Sequence, residues 1–181
     1  MAGQRIHILG ASGSGVTTLG RALAARLGCP CFDCDDYFWL PTEPPYRVKR
    51  ERAQRQTLLL RDLLAHDSWV LSGSACGWGD VVIPLLDAVV YLRLPTAVRL
   101  ERIRRRERER FGDEVLPGGT MHAAYRELLD YAALYDTGDE GVRSRRLHEK
   151  WLSGLPCKVI RIEEDLPVGE KVQRVLRYRR V

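Results

Sequence analysis

The residues that first suggest chemistry form a loop of glycines and hydroxyl side chains at positions 10–18, Gly-Ala-Ser-Gly-Ser-Gly-Val-Thr-Thr. The loop follows a short apolar run at positions 6–9 and precedes an amphipathic run at positions 19–27. Glycines let successive backbone N–H groups point at phosphate oxygens, and the helix that follows turns its positive end toward the same anion. This pattern predicts a phosphate site. The predicted nucleotide-binding residues are Gly10, Ser12, Gly13, Ser14, Gly15, Val16, Thr17 and Thr18.

One position in this loop departs from the phosphate-loop pattern G-x-x-x-x-G-K-[ST]. Gly10, Gly15 and Thr17 match it, and the Thr17 hydroxyl is the expected Mg²⁺ ligand. Val16 stands where the pattern has a lysine that reaches the β- and γ-phosphates. Backbone N–H groups can hold phosphate without that lysine, but the charge that stabilises the transferring phosphoryl group must then come from another residue.

Three acids lie in the segment Phe-Asp-Cys-Asp-Asp at positions 32–36. We predict a second strand over positions 31–35, so that Asp33 and Asp35 share one of its faces at the carboxyl end, where parallel sheets bind ligands. One of the two would hold Mg²⁺ and the other would take a proton from an acceptor hydroxyl. The alternative is that one of them, or Asp36, only caps the next helix.

Residues that would bind the acceptor are predicted in three segments after these acids. Positions 37–46 hold four aromatic residues and three prolines, which favours a rigid loop whose rings either clamp a planar substrate or plug the core. Basic residues open a predicted helix at 47–66, where the helix dipole disfavours them unless an anion is near. A glycine-rich turn at 73–79 would let a substrate approach the backbone. The predicted substrate-binding residues are Asp35, Tyr37, Trp39, Tyr46, Arg47, Arg50, Gly73 and Ser74.

A helix predicted over positions 96–110 carries seven arginines against three glutamates, which accounts for most of the chain's net charge of +5. Runs of this kind usually form solvated i,i+4 pairs. Because the phosphate loop lacks its lysine, this helix is also the expected source of the missing positive charge. The predicted catalytic residues are Asp35, Asp33, Arg102, Arg105 and Arg106.

Five apolar runs alternate with helical patterns along the 181 residues. This alternation predicts one three-layer α/β domain with a parallel sheet and right-handed crossovers. No apolar run approaches the roughly 20 residues of a membrane span, and the first residues show no signal-peptide pattern. Five cysteines, an odd number, argue against a disulfide framework. We therefore expect a cytoplasmic protein without a membrane partner.

Over nearly its whole length the sequence resembles the adenylate-kinase-like group of P-loop kinases. The resemblance rests on the loop at 10–18, the acids at 33–36, the helical region from Arg47 and the arginine-rich helix that leads into 111–119. It implies a five-stranded parallel sheet in the order 2-3-1-4-5, a substrate-binding helical insert and an arginine-bearing lid. The implied division of the single domain 1–181 is a core of 1–36, 68–106 and 141–181, an insert at about 37–67 and a lid at about 107–140.

Two shorter resemblances concern the acids. The motif Asp33-Cys-Asp35 resembles the D-x-D of shikimate kinase, in which the first acid serves Mg²⁺ and the second binds the acceptor hydroxyl. The motif Asp35-Asp-Tyr-Phe38 resembles the D-D-F-[YF] of uridine and nicotinamide riboside kinases. The resemblance thus implies transfer of a phosphoryl group from ATP to a nucleoside, nucleotide or related metabolite, with Mg²⁺ held by Thr17 and Asp33.

Two other functions fit some of the same residues. A nucleotide-binding sensor or regulatory module would bind ATP or GTP without transferring phosphate, which Val16 favours and the acids oppose. Nucleic-acid binding through the arginine-rich helix is the weaker alternative, because Glu101, Glu107 and Glu109 interrupt the basic patch and no nucleic-acid motif accompanies it.

Overall fold

A central sheet of five parallel strands organises the chain, whose computed structural model describes residues 4–43 and 45–178. The strands are β1 (Arg5–Gly10), β2 (Cys31–Asp33), β3 (Trp69–Ser72), β4 (Ala88–Leu92) and β5 (Lys158–Ile162). They lie in the order β2-β3-β1-β4-β5, and each pairs with its neighbours in parallel. The predicted fold class, a three-layer α/β domain with strand order 2-3-1-4-5, is confirmed.

Helices connect the strands and cover both faces of the sheet. The α-helices of the described residues are α1 (Val16–Leu27), α2 (Cys34–Phe38), α3 (Arg52–Leu64), α4 (Thr96–Phe111), α5 (His122–Ala133), α6 (Arg145–Ser153) and α7 (Val168–Arg177). Short 3₁₀ segments lie at Asp80–Leu85, Gly112–Val115 and Leu134–Asp136. Among the described residues, no helix has the length and apolar character needed to cross a bilayer.

Alternating strand residues divide the core into two layers. On one face, α1 and α7 share an apolar cluster with the sheet, formed by residues that include Ile8, Leu19, Leu23, Val90, Val172 and Val175. On the opposite face, α3 and α6 share a second cluster, formed by residues that include Leu59, Leu63, Leu71, Tyr91 and Leu152. The first and last α-helices are therefore neighbours on one side of the sheet. A smaller cluster joins α4 to α5 through Ile103, Leu129 and Ala132.

The structure corrects the extent of the predicted second strand. The strand ends at Asp33, and Asp35 lies in the first turn of α2 instead. The Asp33 side chain caps this helix, because its Oδ1 accepts a hydrogen bond of 3.1 Å from the backbone N–H of Asp35. Local side-chain bonds of this kind compete with strand pairing. The two acids consequently do not share a strand face, although they remain neighbours, and Tyr37 is part of α2 rather than of a loop.

The next helix also begins later than the basic residues predict. The helix α3 starts at Arg52, and the Glu51 side chain caps it by accepting a hydrogen bond of 3.1 Å from the N–H of Gln54. The preceding basic residues lie in a non-helical segment, in which Lys49 forms an isolated antiparallel bridge with Trp39. The helix-dipole argument for these basic residues therefore does not apply.

Candidate active site

The loop between β1 and α1 folds back tightly on itself. Gly13 and Gly15 adopt left-handed backbone angles, with φ of 82° and 91°. A Cβ at Gly13 would lie 2.5 Å from the carbonyl oxygen of Arg99, so only glycine fits there. The buried Ser14 hydroxyl donates a 2.7 Å hydrogen bond to the carbonyl of Ala11. Because Gly15 caps α1 without a side chain, the first N–H groups of this helix have no side-chain acceptor and can bind an anion.

A hydroxyl and a carboxylate meet directly behind this loop. The Thr17 hydroxyl donates a hydrogen bond of 3.1 Å to Oδ2 of Asp33, while the other carboxylate oxygen caps α2. The left-handed Gly73, after β3, lies against the same group, since a Cβ there would be 3.4 Å from Oδ1 of Asp33 and 2.7 Å from Cβ of Cys34. Oxygen donors of this type fit Mg²⁺, which takes hydroxyl and carboxylate ligands beside phosphate groups.

The second acid faces an arginine that sequence reasoning missed. The carboxylate of Asp35 lies 4.0 Å from the guanidinium of Arg143, in the segment between α5 and α6. Burial raises the pKa of Asp35 above its usual range; Arg143 opposes this shift, and the neighbouring Asp33 adds to it. A carboxylate whose pKa is raised is a better proton acceptor near neutral pH. Arg143 stands more than 100 positions away in the sequence with no motif around it, so no local signal could have identified it.

A cleft of about 380 Å³ opens beside Asp35. It brings together four of the predicted substrate-binding residues, namely Asp35, Trp39, Tyr46 and Arg50. The rings of Trp39 and Tyr46 meet edge to face, with centroids 6.3 Å apart. The guanidinium of Arg50 is held by the backbone, because its Nε donates a 3.1 Å hydrogen bond to the carbonyl of Tyr37. An aromatic and partly charged wall of this kind can contact a small polar substrate.

The other predicted substrate-binding residues lie away from this cleft or behind it. Tyr37 is buried in the core, and its hydroxyl donates a 3.0 Å hydrogen bond to Asp62 of α3. Arg47 is exposed and forms an ion pair of 3.6 Å with Glu127 of α5. Ser74 is buried behind Gly73 and turns its hydroxyl to His148.

The three predicted charge donors of α4 occupy different environments. Arg102 approaches the phosphate loop, because its Nη1 lies 3.7 Å from the point that a Cβ at Gly15 would occupy. It also forms an ion pair with Asp165, in the segment between β5 and α7. Arg105 and Arg106 are largely exposed and pair with the nearby glutamates Glu109 and Glu107, at 3.8 Å and 2.6 Å.

Arg99 fastens the loop to the rest of the molecule, a role that sequence reasoning did not assign to it. The side chain is fully buried. Its guanidinium donates hydrogen bonds of 3.1 to 3.3 Å to the carbonyls of Leu94, Ser12 and Ala132, and pairs with Asp136 at 3.2 Å. One arginine of α4 thus ties the phosphate loop to α5.

A buried chain of polar groups runs behind the acceptor side. The hydroxyl of Ser74 and Nε2 of His148 are 3.1 Å apart, Nδ1 of His148 and the Tyr135 hydroxyl 2.8 Å, and the Tyr135 and Tyr91 hydroxyls 2.8 Å. Burial lowers the pKa of His148 to about 3, so its ring is neutral at pH 7. This series of hydrogen-bonded groups holds the turn that contains Gly73 against α6.

This fold and this site define a class: the chain is a P-loop kinase-like protein, with a parallel sheet, a glycine-rich phosphate loop and acids at the carboxyl edge of the sheet. It belongs to the family described as AAA domain, whose model matches residues 6–116.

Comparison with curated proteins gives two relatives. The chain is 47% identical over 175 residues to the "Uncharacterized protein YqaC" of Bacillus subtilis (strain 168), covering 97% of each chain. It is 33% identical over 114 residues to the shikimate kinase of Dechloromonas aromatica (strain RCB), covering 56% of this chain and 61% of that enzyme.

Comparison with solved structures gives kinase neighbours. The shikimate kinase of Bacteroides thetaiotaomicron has a TM-score of 0.56 at 19% identity, covering 98% of this chain and 99% of that chain. The deoxyadenosine kinase of M. mycoides, solved with bound dATP, has a TM-score of 0.56 at 15% identity, covering 98% and 100%. At these identities the structures establish the fold alone.

Proposed function

We propose that this protein is a small-molecule kinase that transfers the γ-phosphoryl group of ATP to a hydroxyl group of a nucleoside, nucleotide or related metabolite. The observation that carries the proposal is the arrangement of Thr17, Asp33 and Asp35 behind a loop shaped for phosphate. A hydroxyl and a carboxylate suited to Mg²⁺ stand beside a second carboxylate that faces the acceptor cleft. Cofactor and acceptor would thus meet at one edge of the sheet.

The loop at 10–18 would hold the ATP phosphates through its backbone N–H groups. Thr17 and Asp33 would hold Mg²⁺, which would supply positive charge to offset the negative charge that develops on the phosphates. Arg102 is the best placed of the predicted charge donors, because it already lies against Gly15. Arg105 and Arg106 would contribute only if the end of α4 moved toward the phosphates.

Asp35 would accept the proton of the acceptor hydroxyl while the hydroxyl oxygen forms a bond to the γ-phosphorus. The bond between the γ-phosphorus and the oxygen that links it to the β-phosphate would break, and ADP would leave. The raised pKa of Asp35 suits this exchange. Arg143 would hold the carboxylate in place and contact an anionic group of the acceptor. Trp39, Tyr46 and Arg50 would line the acceptor pocket.

We also propose the division that the resemblance implies, with residues at about 37–67 as the substrate-binding insert and at about 107–140 as the lid. The cleft beside Asp35 supports the first assignment. The separate apolar cluster between α4 and α5 supports the second, since it packs apart from the sheet. An ATP-dependent enzyme with an odd number of cysteines is best suited to the cytoplasm.

The experiment that tests this function is a phosphoryl-transfer screen with Mg²⁺ and either ATP or GTP. The acceptors are nucleosides, nucleoside monophosphates and small hydroxylated carboxylic acids, and the readout is phosphorylated product rather than nucleotide hydrolysis. We expect a product with one acceptor class and no product when Mg²⁺ is chelated. Binding of ATP without product from any acceptor would contradict the proposal.

Binding of ATP without product would support the alternative function, a nucleotide-binding sensor. One observation favours this alternative. Val16 packs against the apolar cluster of α1 and α7, so the loop carries no cation of its own at this position. A protein of this kind would bind ATP through the loop backbone and change the packing of α4 and α5 without chemistry.

A further inference from the structure

Arg99 is a fully buried cation against the phosphate loop to which the proposed reaction has so far given no role. Its guanidinium donates hydrogen bonds to the carbonyls of Leu94, Ser12 and Ala132, the hydroxyl of Thr96 and the carboxylate of Asp136. The Nε atom and both Nη atoms are therefore committed to acceptors within the protein. Arg99 could contact a bound phosphate only by giving up one of these bonds.

The bond to Ser12 sets the orientation of one peptide group of the loop. The carbonyl of Ser12 and the N–H of Gly13 belong to the same planar trans peptide, in which they point in opposite directions. Because Nη1 of Arg99 donates to this carbonyl at 3.3 Å, the N–H of Gly13 points away from the guanidinium. Among the described residues, nothing accepts a hydrogen bond from that N–H. It is an oriented donor that an anion can use.

The backbone of α4 holds the same peptide group from a second direction. A Cβ at Gly13 would lie 2.5 Å from the carbonyl oxygen of Arg99 and 3.0 Å from its carbonyl carbon. Immediately after this peptide, the N–H and the hydroxyl of Ser14 both donate to the carbonyl of Ala11, at 3.1 Å and 2.7 Å. The peptide between Ser12 and Gly13 is thus fixed by the side chain and the main chain of one residue.

Asp136 keeps the guanidinium in this position. Its Oδ2 lies 3.2 Å from Nη2 of Arg99 and also accepts a hydrogen bond from the hydroxyl of Thr96. A buried cation that loses its counterion is strongly destabilised. The Asp136 side chain is itself 31% exposed, so it can be changed with less damage to the core than Arg99.

We propose that Arg99 is a positioning residue of the nucleotide site, which orients the N–H of Gly13 toward a phosphate of a bound nucleoside triphosphate. Asp136 acts on the same N–H through Arg99. The inference rests on the proposed nucleotide site and adds to it two residues that act without touching the ligand. It applies to the kinase and to the sensor alike, because both would bind nucleotide through the backbone of the loop.

The first test is Arg99→Lys, which keeps the positive charge but replaces the planar fork with a single ammonium group. We expect ATP affinity, measured by titration calorimetry, to fall about 10- to 100-fold, the loss typical of one charge-assisted hydrogen bond. The melting temperature should fall as well, by about 3 to 10 °C. The matched control is Arg161→Lys, which breaks a two-point pair with Glu149 on β5 and should leave ATP affinity unchanged.

The response of the Gly13 amide separates positioning from a general effect on stability. In protein labelled with ¹⁵N-glycine, saturating ATP should move the amide resonance of Gly13 and leave that of Gly154, at the end of α6, in place. In Arg99→Lys at saturating ATP, the shift of the Gly13 resonance should be smaller than in the wild type. A purely structural role of Arg99 would leave this shift at its wild-type size.

Asp136→Ala is the second variant, and it decides the question if Arg99→Lys does not fold. Loss of this partly exposed partner should weaken ATP binding about three- to fivefold. Combined with Arg99→Lys it should add little further loss, because the two residues act along one route.

Three results would overturn the inference. Wild-type ATP affinity and a wild-type Gly13 shift in folded Arg99→Lys would assign Arg99 to the fold and leave the nucleotide site itself intact. Unchanged ATP affinity in Asp136→Ala, or a loss that adds in full to that of Arg99→Lys, would remove Asp136 from the route to Gly13. Wild-type protein that binds no nucleoside triphosphate would overturn the proposed function, and the inference with it.

Discussion

At the scale of single residues, the site depends on two acids that do different work although they stand two positions apart. Asp33 is held on both oxygens, by the Thr17 hydroxyl and by the N–H of Asp35. Asp35 projects from the first turn of α2 toward the cleft, with Arg143 as its nearest cation. A carboxylate fixed on both sides suits a metal ligand, and one that faces a substrate pocket suits proton transfer.

The first prediction concerns Asp35→Asn, which keeps the shape of the side chain and removes its capacity to take a proton. We expect the rate of transfer to the acceptor to fall by about 10² to 10⁴, the range for loss of a general base. Affinity for ATP should stay within about twofold, because Asp35 does not touch the phosphate loop. Steady-state kinetics with saturating ATP and calorimetric titration measure the two quantities.

The control for that variant is Asp36→Asn, which changes the neighbouring acid in the same helix and the same cleft. This control should keep nearly full activity. Full transfer by Asp35→Asn together with loss of transfer by Asp36→Asn would move the base to Asp36. Unfolding of Asp35→Asn would mean that the ion pair with Arg143 serves the fold instead.

The second prediction concerns Arg102, the one predicted charge donor that lies beside Gly15. An arginine that stabilises the charge of a transferring phosphoryl group is worth roughly 10³ in turnover at the low end of its effect. Arg102→Ala should therefore lower kcat by about that factor while weakening ATP binding much less. The comparison of kcat with KM for ATP checks this.

Arg105→Ala is the matched control, because the same helix carries that arginine on its exposed side in an ion pair with Glu109. Exposed pairs of this kind contribute little to stability. We expect this control to retain turnover. If Arg102→Ala turns over at the wild-type rate, the positive charge for phosphoryl transfer comes from elsewhere.

At the scale of elements, the phosphate site is the junction of β1 with α1, and its shape depends on left-handed glycines. Gly15 ends the loop and begins the helix with a φ of 91°. An alanine there would be strained by about 1 to 2 kcal/mol and would place its methyl group 3.7 Å from Arg102. The backbone N–H groups would then rotate away from the phosphates.

The third prediction is that Gly15→Ala lowers ATP affinity by about tenfold or more, equivalent to about 1.4 kcal/mol. Its control is Gly28→Ala at the other end of α1, where φ is 66° and a Cβ would meet nothing within 4 Å. The control carries similar backbone strain without touching the loop. Both variants should melt at lower temperature, and only Gly15→Ala should lose nucleotide. Equal ATP affinity in the two variants would contradict the phosphate site.

At the scale of the whole molecule, the sheet could be predicted because every strand is marked by its own apolar run. Residues 88–92, for example, are all buried, as a central parallel strand that is covered on both faces requires. The boundary after Asp33 could not be read in the same way, because a side-chain cap and not apolarity ends the strand there. Local patterns thus identified the elements more reliably than their ends.

The residues of the candidate site likewise divide into those that a local motif predicts and those that it does not. Thr17 and Asp33 could be found from the sequence, since each belongs to a motif of adjacent residues with known chemistry. Arg143 could not, because its relation to the site arises when segments more than 100 positions apart pack together. Ser74 was expected at the substrate and instead faces His148, a partner 74 positions away. Long-range partners are set by topology, which a motif does not contain.

Two buried histidines couple the core to pH. His7 lies in β1 and His148 in α6, and both are fully enclosed. Burial lowers the pKa of His7 from 6.5 to about 4, and that of His148 from 6.5 to about 3. Between pH 6.5 and 4 the histidine imidazole binds a proton in the unfolded chain and stays neutral in the folded chain. The contribution of this neutral imidazole to the folding free energy is therefore fully present above pH 6.5 and is lost as the pH falls toward 4.

The fourth prediction follows from that sign. By about pH 5 each histidine should have cost about 2 kcal/mol of folding free energy relative to neutral pH, so the melting temperature should fall clearly between about pH 7 and about pH 5. His148→Gln removes one titrating group and should flatten this fall, even though the loss of bonds to Ser74 and Tyr135 lowers the melting temperature at both pH values. His66→Gln, at an exposed position, is the control and should leave the slope unchanged. If the melting temperature of His148→Gln depends on pH as steeply as that of the wild type, the acid lability arises from the carboxylates. Removal of a buried neutral imidazole that titrates on unfolding would have to change this dependence.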